Sequence, residues 1–153
     1  MEDQLVDFIR GTKGKAPSPD IDWQAKKDTW VGSVDSLYGY VREMLRESIA
    51  SNDVTTNTVN VEVSEDFIGS YSMPVLELSV GSERVEFRPK GINVIGAAGR
   101  VDIRGERDTV TLLRDEVDFA SGWGVVIQRV PHLKKVDLDR DSLKFALEHV
   151  MLR

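Results

Sequence analysis

Cysteine is absent from all 153 residues, which excludes a disulfide framework, a thiolate zinc site and a cysteine nucleophile. Histidine is nearly absent too. Only His132 and His149 occur, with no H-E-x-x-H or H-x-H spacing, so no metal site built on imidazole is expected. No apolar run approaches the ~20 residues that cross a bilayer. The N-terminal Met-Glu-Asp-Gln-Leu-Val-Asp-Phe-Ile-Arg has neither the basic nor the apolar region of a secretory signal. Together these absences lead us to expect a cytoplasmic protein with no membrane partner.

A strong charge bias is also missing. The formal net charge of −6 is spread along the chain, with acids outnumbering bases in 1–56, 57–114 and 115–153 alike. Bulk attraction to nucleic acid or anionic lipid is therefore not expected. Motifs that carry chemistry are missing as well. Gly91-Ile-Asn-Val-Ile-Gly96-Ala-Ala-Gly99 has the glycine spacing of a phosphate loop, but Ala97 and Ala98 stand where that loop needs Lys and Ser or Thr. We read its glycines as turns or close strand approaches. There is no G-x-S-x-G elbow. No cofactor, metal site or catalytic group is expected, and the chain is read as a non-enzyme.

What the sequence does contain is a change of hydrophobic period near residue 55. Before it, Trp30, Val31, Val34, Leu37, Tyr38, Val41, Met44, Leu45 and Ile49 recur at helical spacing. After it, Val59-Asn60-Val61-Glu62-Val63, Leu76-Glu77-Leu78-Ser79-Val80 and Arg100-Val101-Asp102-Ile103-Arg104 alternate apolar with polar, as half-buried antiparallel strands do. Hydrophobic residues at 41% and charged residues at 30% suit one globular domain spanning 1–153.

The elements follow from that pattern. Residues 1–20 read as a short helix at 2–10 and a connector containing Gly11, Gly14, Pro17 and Pro19. Asp20 or Asp22 caps a helix over 21–50, in which Gly32 and Gly39 are weak points; a start nearer Asp28 is the alternative. Strands are expected at 58–64, 75–80, 83–88, 92–96, 99–104, 109–114 and 123–130, within a sheet region of 57–130. A loop with Gly69 and Pro74 lies between the first two, and Gly81-Ser82 closes a hairpin. Asp139 or Asp141 caps a C-terminal helix over 139–152. Apolar faces must be covered, so the fold expected is α+β: an antiparallel meander of about five to seven strands on a long N-terminal helix, with a C-terminal helix. Trp23 and Trp30 share a helix face and belong near that contact, with Tyr38 and Tyr40 toward one edge.

If Val85, Phe87, Val101, Ile103, Val110 and Leu112 turn inward, the other side of the sheet shows Arg84, Glu86, Arg88, Arg100, Asp102, Arg104, Thr109 and Thr111. From Arg84 to Arg114 the bases outnumber the acids, and all but Lys90 are arginine. The bland reading is a solvated face whose charges pair across strands. The functional reading takes Arg84, Glu86, Arg88, Arg100, Asp102 and Arg104 as a partner-binding face, since a planar guanidinium engages carboxylates or phosphates by two bonds at once. Glu62, Glu77, Glu86 and Asp102 could also share one face, as a two-carboxylate hydrolase would need. A second surface is the terminal helix, whose Phe145 and Leu152 lie off its main apolar stripe. Deep burial of that helix is the favoured reading, and a dimer or partner contact the other. His149 is placed on its flank beside Phe145.

In size, acidity, lack of cysteine and helix-plus-sheet build, the chain is similar to small bacterial immunity and antitoxin proteins, which bind and block one toxin. The likeness is one of composition and build. It implies a protein partner, a toxin in that case, and a cytoplasmic inhibitor. Two alternatives stand beside it: anion or nucleic-acid binding through Arg84–Arg114, disfavoured by the scarcity of stacking aromatics there, and a self-associating structural or viral accessory protein, such as a homodimer.

Overall fold

A computed structural model describes residues 22–92 and 98–152. The helix expected at 2–10, its connector, Asp20 and most of the strand expected at 92–96 lie outside those residues. Helix α1 spans Trp23–Met44 and opens on Asp22, whose carboxylate accepts from the Ala25 N–H at 3.0 Å. This satisfies one of the amides that a helix leaves unpaired at its start. The helix passes through Gly32 and Gly39 without a break, but it does not run on to residue 50. Its last turn tightens at Leu45, whose N–H is shared by the Val41 and Arg42 carbonyls at 3.0 and 3.2 Å, and the separate helix α2 (Arg46–Ala50) follows.

Seven strands then pair antiparallel, each with the next in sequence: β1 (Val54–Glu65), β2 (Gly69–Val80), β3 (Glu83–Gly91), β4 (Arg100–Arg104), β5 (Thr109–Arg114), β6 (Trp123–Gln128) and β7 (Lys134–Asp137). Helix α3 (Arg140–Val150) follows the last of them. The α+β meander is therefore as expected, with three differences in detail. First, β1 and β2 are longer than their alternation suggests, and only Asp66, Phe67 and Ile68 join them. Phe67 takes a left-handed φ of 70°, a conformation unusual for a bulky residue, and stacks on Trp23 with ring centroids 5.4 Å apart. Pro74 sits within β2, beyond the Leu76–Val80 stretch that β3 pairs with, so the N–H it lacks is not missed there. Second, the strand expected over 123–130 stops at Gln128, ahead of a cis Val130–Pro131 bond. Third, β7 was not expected, because Lys-Lys-Val-Asp has one apolar residue and shows no period.

The core lies between the sheet and the helices. Val85, Phe87, Val101, Ile103, Val110 and Leu112 are all buried, against Trp30, Val34, Leu37, Tyr38 and Val41 of α1. The two tyrosines show how far the sheet curves. Tyr38 is not near an edge: its hydroxyl lies 2.7 Å from the Pro74 carbonyl and 2.9 Å from that of Phe87, on β2 and β3. Tyr40 donates instead to the Leu138 carbonyl, just past β7, at 2.9 Å. Two positions apart on a helix, the side chains point in nearly opposite directions, and each still finds the sheet. The sheet therefore wraps around α1. Trp30 adds a further tie, its ring 6.0 Å from that of Trp123 on β6 and against the Cα of Gly99, where a Cβ would collide with the indole. Gly91 instead takes a φ of 142°, a conformation side chains rarely adopt. The ends of the phosphate-loop-like string are thus explained by backbone conformation and packing.

The twist also exchanges faces along β2. Its buried residues are Tyr71, Met73 and Val75 in one alternation and Leu76 and Leu78 in the other. The exchange falls where β3 stops pairing and β1 and β2 continue as a two-stranded ribbon, the geometry that twists most.

Asp139 caps α3 in a reciprocal box: its carboxylate accepts from the Ser142 N–H at 2.9 Å, and the Ser142 hydroxyl accepts from the Asp139 N–H at 2.9 Å. Leu143, Ala146 and Val150 are buried, and the Val150 carbonyl lies so close to Gly105 that no side chain fits there. Deep burial of the helix on all sides is not what the structure has. Phe145 is 38% and Leu152 61% exposed.

Candidate partner-binding face

The six residues read as a partner-binding set come together on the convex face of β3 and β4, away from the helices. Antiparallel register sets Glu86 opposite Arg104 and Arg88 opposite Asp102, with Arg100 beside Gly91. The same rows continue outward, to Glu77 opposite Glu86 and to Thr111 opposite Asp102. Alternation alone dictates this sharing of one face.

The side chains are interlocked. Glu86 accepts from Arg88 Nε at 3.1 Å and lies 3.5 Å from Arg104 Nη1, so one carboxylate steadies two guanidiniums. Arg100 grips Asp102 by two bonds, Nε at 2.8 Å and Nη2 at 3.1 Å. Thr111 Oγ1 donates to the same carboxylate at 3.3 Å, and Arg129 donates to that hydroxyl in turn. Arg129 thus joins the face from beyond the end of β6. Sequence reading missed it although the strand expected over 123–130 contains it, because Val125-Val126-Ile127 is a continuous apolar run in which no alternation marks a side.

These contacts are charge pairs made along and across the strands of the face itself. Asp102 and Thr111 are buried, so neither is a free contact residue. That departs from the expectation of an open face: Asp102 is an internal anchor, and the guanidiniums around it are what a partner could reach. Arg84 is exposed, and the Arg104 and Arg100 side chains keep 48% and 37% of their surface. Val75 and Val126 are also buried outside the main core cluster.

The four carboxylates do not gather into an acid pair. Glu77 and Glu86 are opposite each other, but Glu77 accepts from Asn57 Nδ2 at 3.2 Å and Glu86 is held by its arginines. Asp102 is bound by Arg100, and Glu62, an odd number of positions from Asn57 on β1, lies on the other face of the ribbon. Among the described residues no group of three His, Cys, Asp or Glu is placed to hold a metal ion. Within the same limits, no helix is long and apolar enough to cross a membrane.

Two hollows involve α3, and the first adjoins this face. One of about 300 Å³ lies where Thr111, Gln128 and Arg129 meet Phe145 and His149 of α3. Phe145 stacks on His149 with centroids 5.7 Å apart, as the shared helix flank requires, and His149 Nε2 lies 2.9 Å from Asp108 Oδ2. The other, of about 690 Å³, runs between α2 and α3, with Leu45, Leu143, Leu147 and Met151 in its floor and Arg140, Lys144 and Glu148 at its rim.

Titration is perturbed elsewhere. Burial pushes the Tyr38 phenol far above its ordinary range, and burial followed by the bond to Glu65 does the same for Tyr71. The Asp115 carboxyl is held low by the N–H groups of Asp118 and Val117, and Asp108 by the Thr109 N–H and then His149. None of these groups belongs to the arginine network. Compared with known proteins, the chain matches no family model, no curated protein and no solved structure.

Proposed function

We propose that this chain is a cytoplasmic, non-enzymatic protein-binding domain, an inhibitor of the immunity or antitoxin kind, and that the convex face of β3 and β4 meets its target. One observation carries the reading: Glu86 and Asp102 hold the guanidiniums of Arg88, Arg104 and Arg100 in position before any partner arrives. Ordering a free side chain at an interface costs about 0.5–1.5 kcal/mol, and that cost is largely avoided when the protein's own contacts have already fixed it. Arg84, Arg88, Arg100, Arg104 and Arg129 outnumber Glu77, Glu86 and Asp102 there, although the whole chain carries −6. A carboxylate-bearing surface is the natural complement. Blocking by contact needs no reacting group, only a rigid patch with a few Arg or aromatic anchors, and Phe145 stands beside Arg129 to supply an aromatic one.

Affinity capture from the native host, with the intact chain as bait, is expected to retain one dominant protein. A variant carrying Arg84→Glu, at an exposed position outside the ion pairs, is expected to weaken its capture at an unchanged thermal midpoint. Capture of nothing across a range of salt overturns the reading. Recovery of nucleic acid, with affinity falling steeply against salt, replaces it with anion binding through the same arginines.

A further inference from the structure

The two outer strands of the sheet are defended very differently. β7 is four residues long, carries Lys134 and Lys135, and has a register shift against β6 between Val126 and Gln128. Short length, lysine and bulges are the devices by which edge strands avoid pairing with strangers. β1 has none of them. It is twelve residues long, Val-Thr-Thr-Asn-Thr-Val-Asn-Val-Glu-Val-Ser-Glu, without Pro, Lys or Arg, and its ladder to β2 runs from Val54 to Glu65 without a shift. Asn57, Thr58, Val59 and Asn60 are all exposed, the Thr58 hydroxyl accepting from Arg42 of α1 at 3.0 Å, and among the described residues the outer edge carries no partner strand.

We propose that β1 is a homodimer interface, in which two copies of this chain join their β1 strands antiparallel and continue one sheet through both molecules. The occupant is fixed by charge and register. A two-fold axis normal to the sheet sets residues of like parity opposite each other. With the axis at Val59, Thr58 faces Asn60, Asn57 faces Val61, Thr56 faces Glu62 and Thr55 faces Val63. From Val54 to Ser64 no carboxylate opposes another, Glu65 meeting Asp53 only at the outer ends of the pairing, and each copy's Val59, 38% exposed in one chain, packs on its counterpart. The rest of the surface belongs to a chain of −6 and repels a second copy, whereas Val54–Val61 is uncharged. A heteroatom-rich Thr and Asn strand also gains from cross-strand hydroxyl and amide pairs. The arginine face is left open on both copies, so this inference does not depend on the target proposed above.

The absence of native cysteine makes the test clean. Directly opposed residues in an antiparallel pair have Cα atoms about 4.5–5.5 Å apart, within disulfide reach. Mild oxidation of Val59→Cys is expected to give a covalent dimer on a non-reducing gel. Lys144→Cys, on the exposed side of α3, is expected to remain monomeric. Sedimentation of the unaltered chain should show a dimer that dissociates on dilution, and Val59→Lys should sediment as a monomer with the same thermal midpoint. Equal cross-linking at both cysteines, or a monomeric mass for the unaltered chain at every concentration, overturns the proposal. The second result does so whether the edge stays bare or accepts a strand from another protein.

Discussion

The concave and convex faces of this sheet come from the same strands, yet they are held by different physics. Val85, Phe87, Val101, Ile103, Val110 and Leu112 are buried against α1 and α3, where stabilisation grows with the apolar area removed from water. One position along each strand, Glu86, Arg88, Asp102, Arg104 and Thr111 are held by specific ion pairs and hydrogen bonds. The concave side tolerates no loss of volume, whereas the convex side tolerates no loss of a partner. A face of the second kind is easily re-aimed at another molecule, because its groups already sit at hydrogen-bonding geometry near water.

The largest expected effect breaks the concave side. Phe87→Ala removes a fully buried ring and is expected to cost about 3–5 kcal/mol in chemical denaturation, the range for large core truncations. On the convex side, Arg100→Ala leaves the buried Asp102 carboxylate with only the Thr111 hydroxyl. The expected cost is about 2 kcal/mol. Replacing Asp102 by Asn in the same variant should recover part of it, and a double-mutant cycle measures the coupling.

Alkali and acid should sharpen the contrast. The Tyr38 pKa is raised by burial, so its stabilisation is complete below the unfolded value of about 10 and is lost as pH rises beyond it. Tyr38→Phe is expected to delay the alkaline limb of a circular-dichroism titration, while costing about 1–2 kcal/mol at neutral pH through the lost hydroxyl bond to the Pro74 carbonyl. Asp108 and Asp115 behave in the opposite sense. Their depressed values give stabilisation that is present above the unfolded value of about 3.9 and is lost as pH falls below it. The smallest effect expected is that Asp108→Asn with Asp115→Asn flattens the acid limb and leaves the alkaline one unmoved.

Much of this architecture was legible before any coordinates. Period two with one apolar face specified β4 and β5 to within a residue and the start of β3, which runs three residues past the expected end at 88, because each carries a buried face and a wet one. The six-residue partner-binding set fell on one side for the same reason. What alternation could not convey was depth. Asp102 and Thr111 look like surface residues in sequence, and they are buried only because their own neighbours close over them. Arg129 joins from outside any strand, and β7 is too short and too charged to show a period. The length of β1 and β2 was hidden by Gly69 and Pro74, which usually mark loops but here occupy a ribbon with no third strand to disturb.

The wrapping of the sheet around α1 bears on how the chain acquires its shape. Each strand can zip to the one before it as it forms, since every pairing in the meander is between sequence neighbours and such local closures are fast. The helix enjoys no such convenience. Trp30 meets Trp123, and Tyr40 meets Leu138, partners that the ribosome delivers some ninety residues later. α1 must therefore keep a greasy flank uncovered through most of synthesis, and the step that completes the molecule is the curling of an already assembled sheet around the segment made before it.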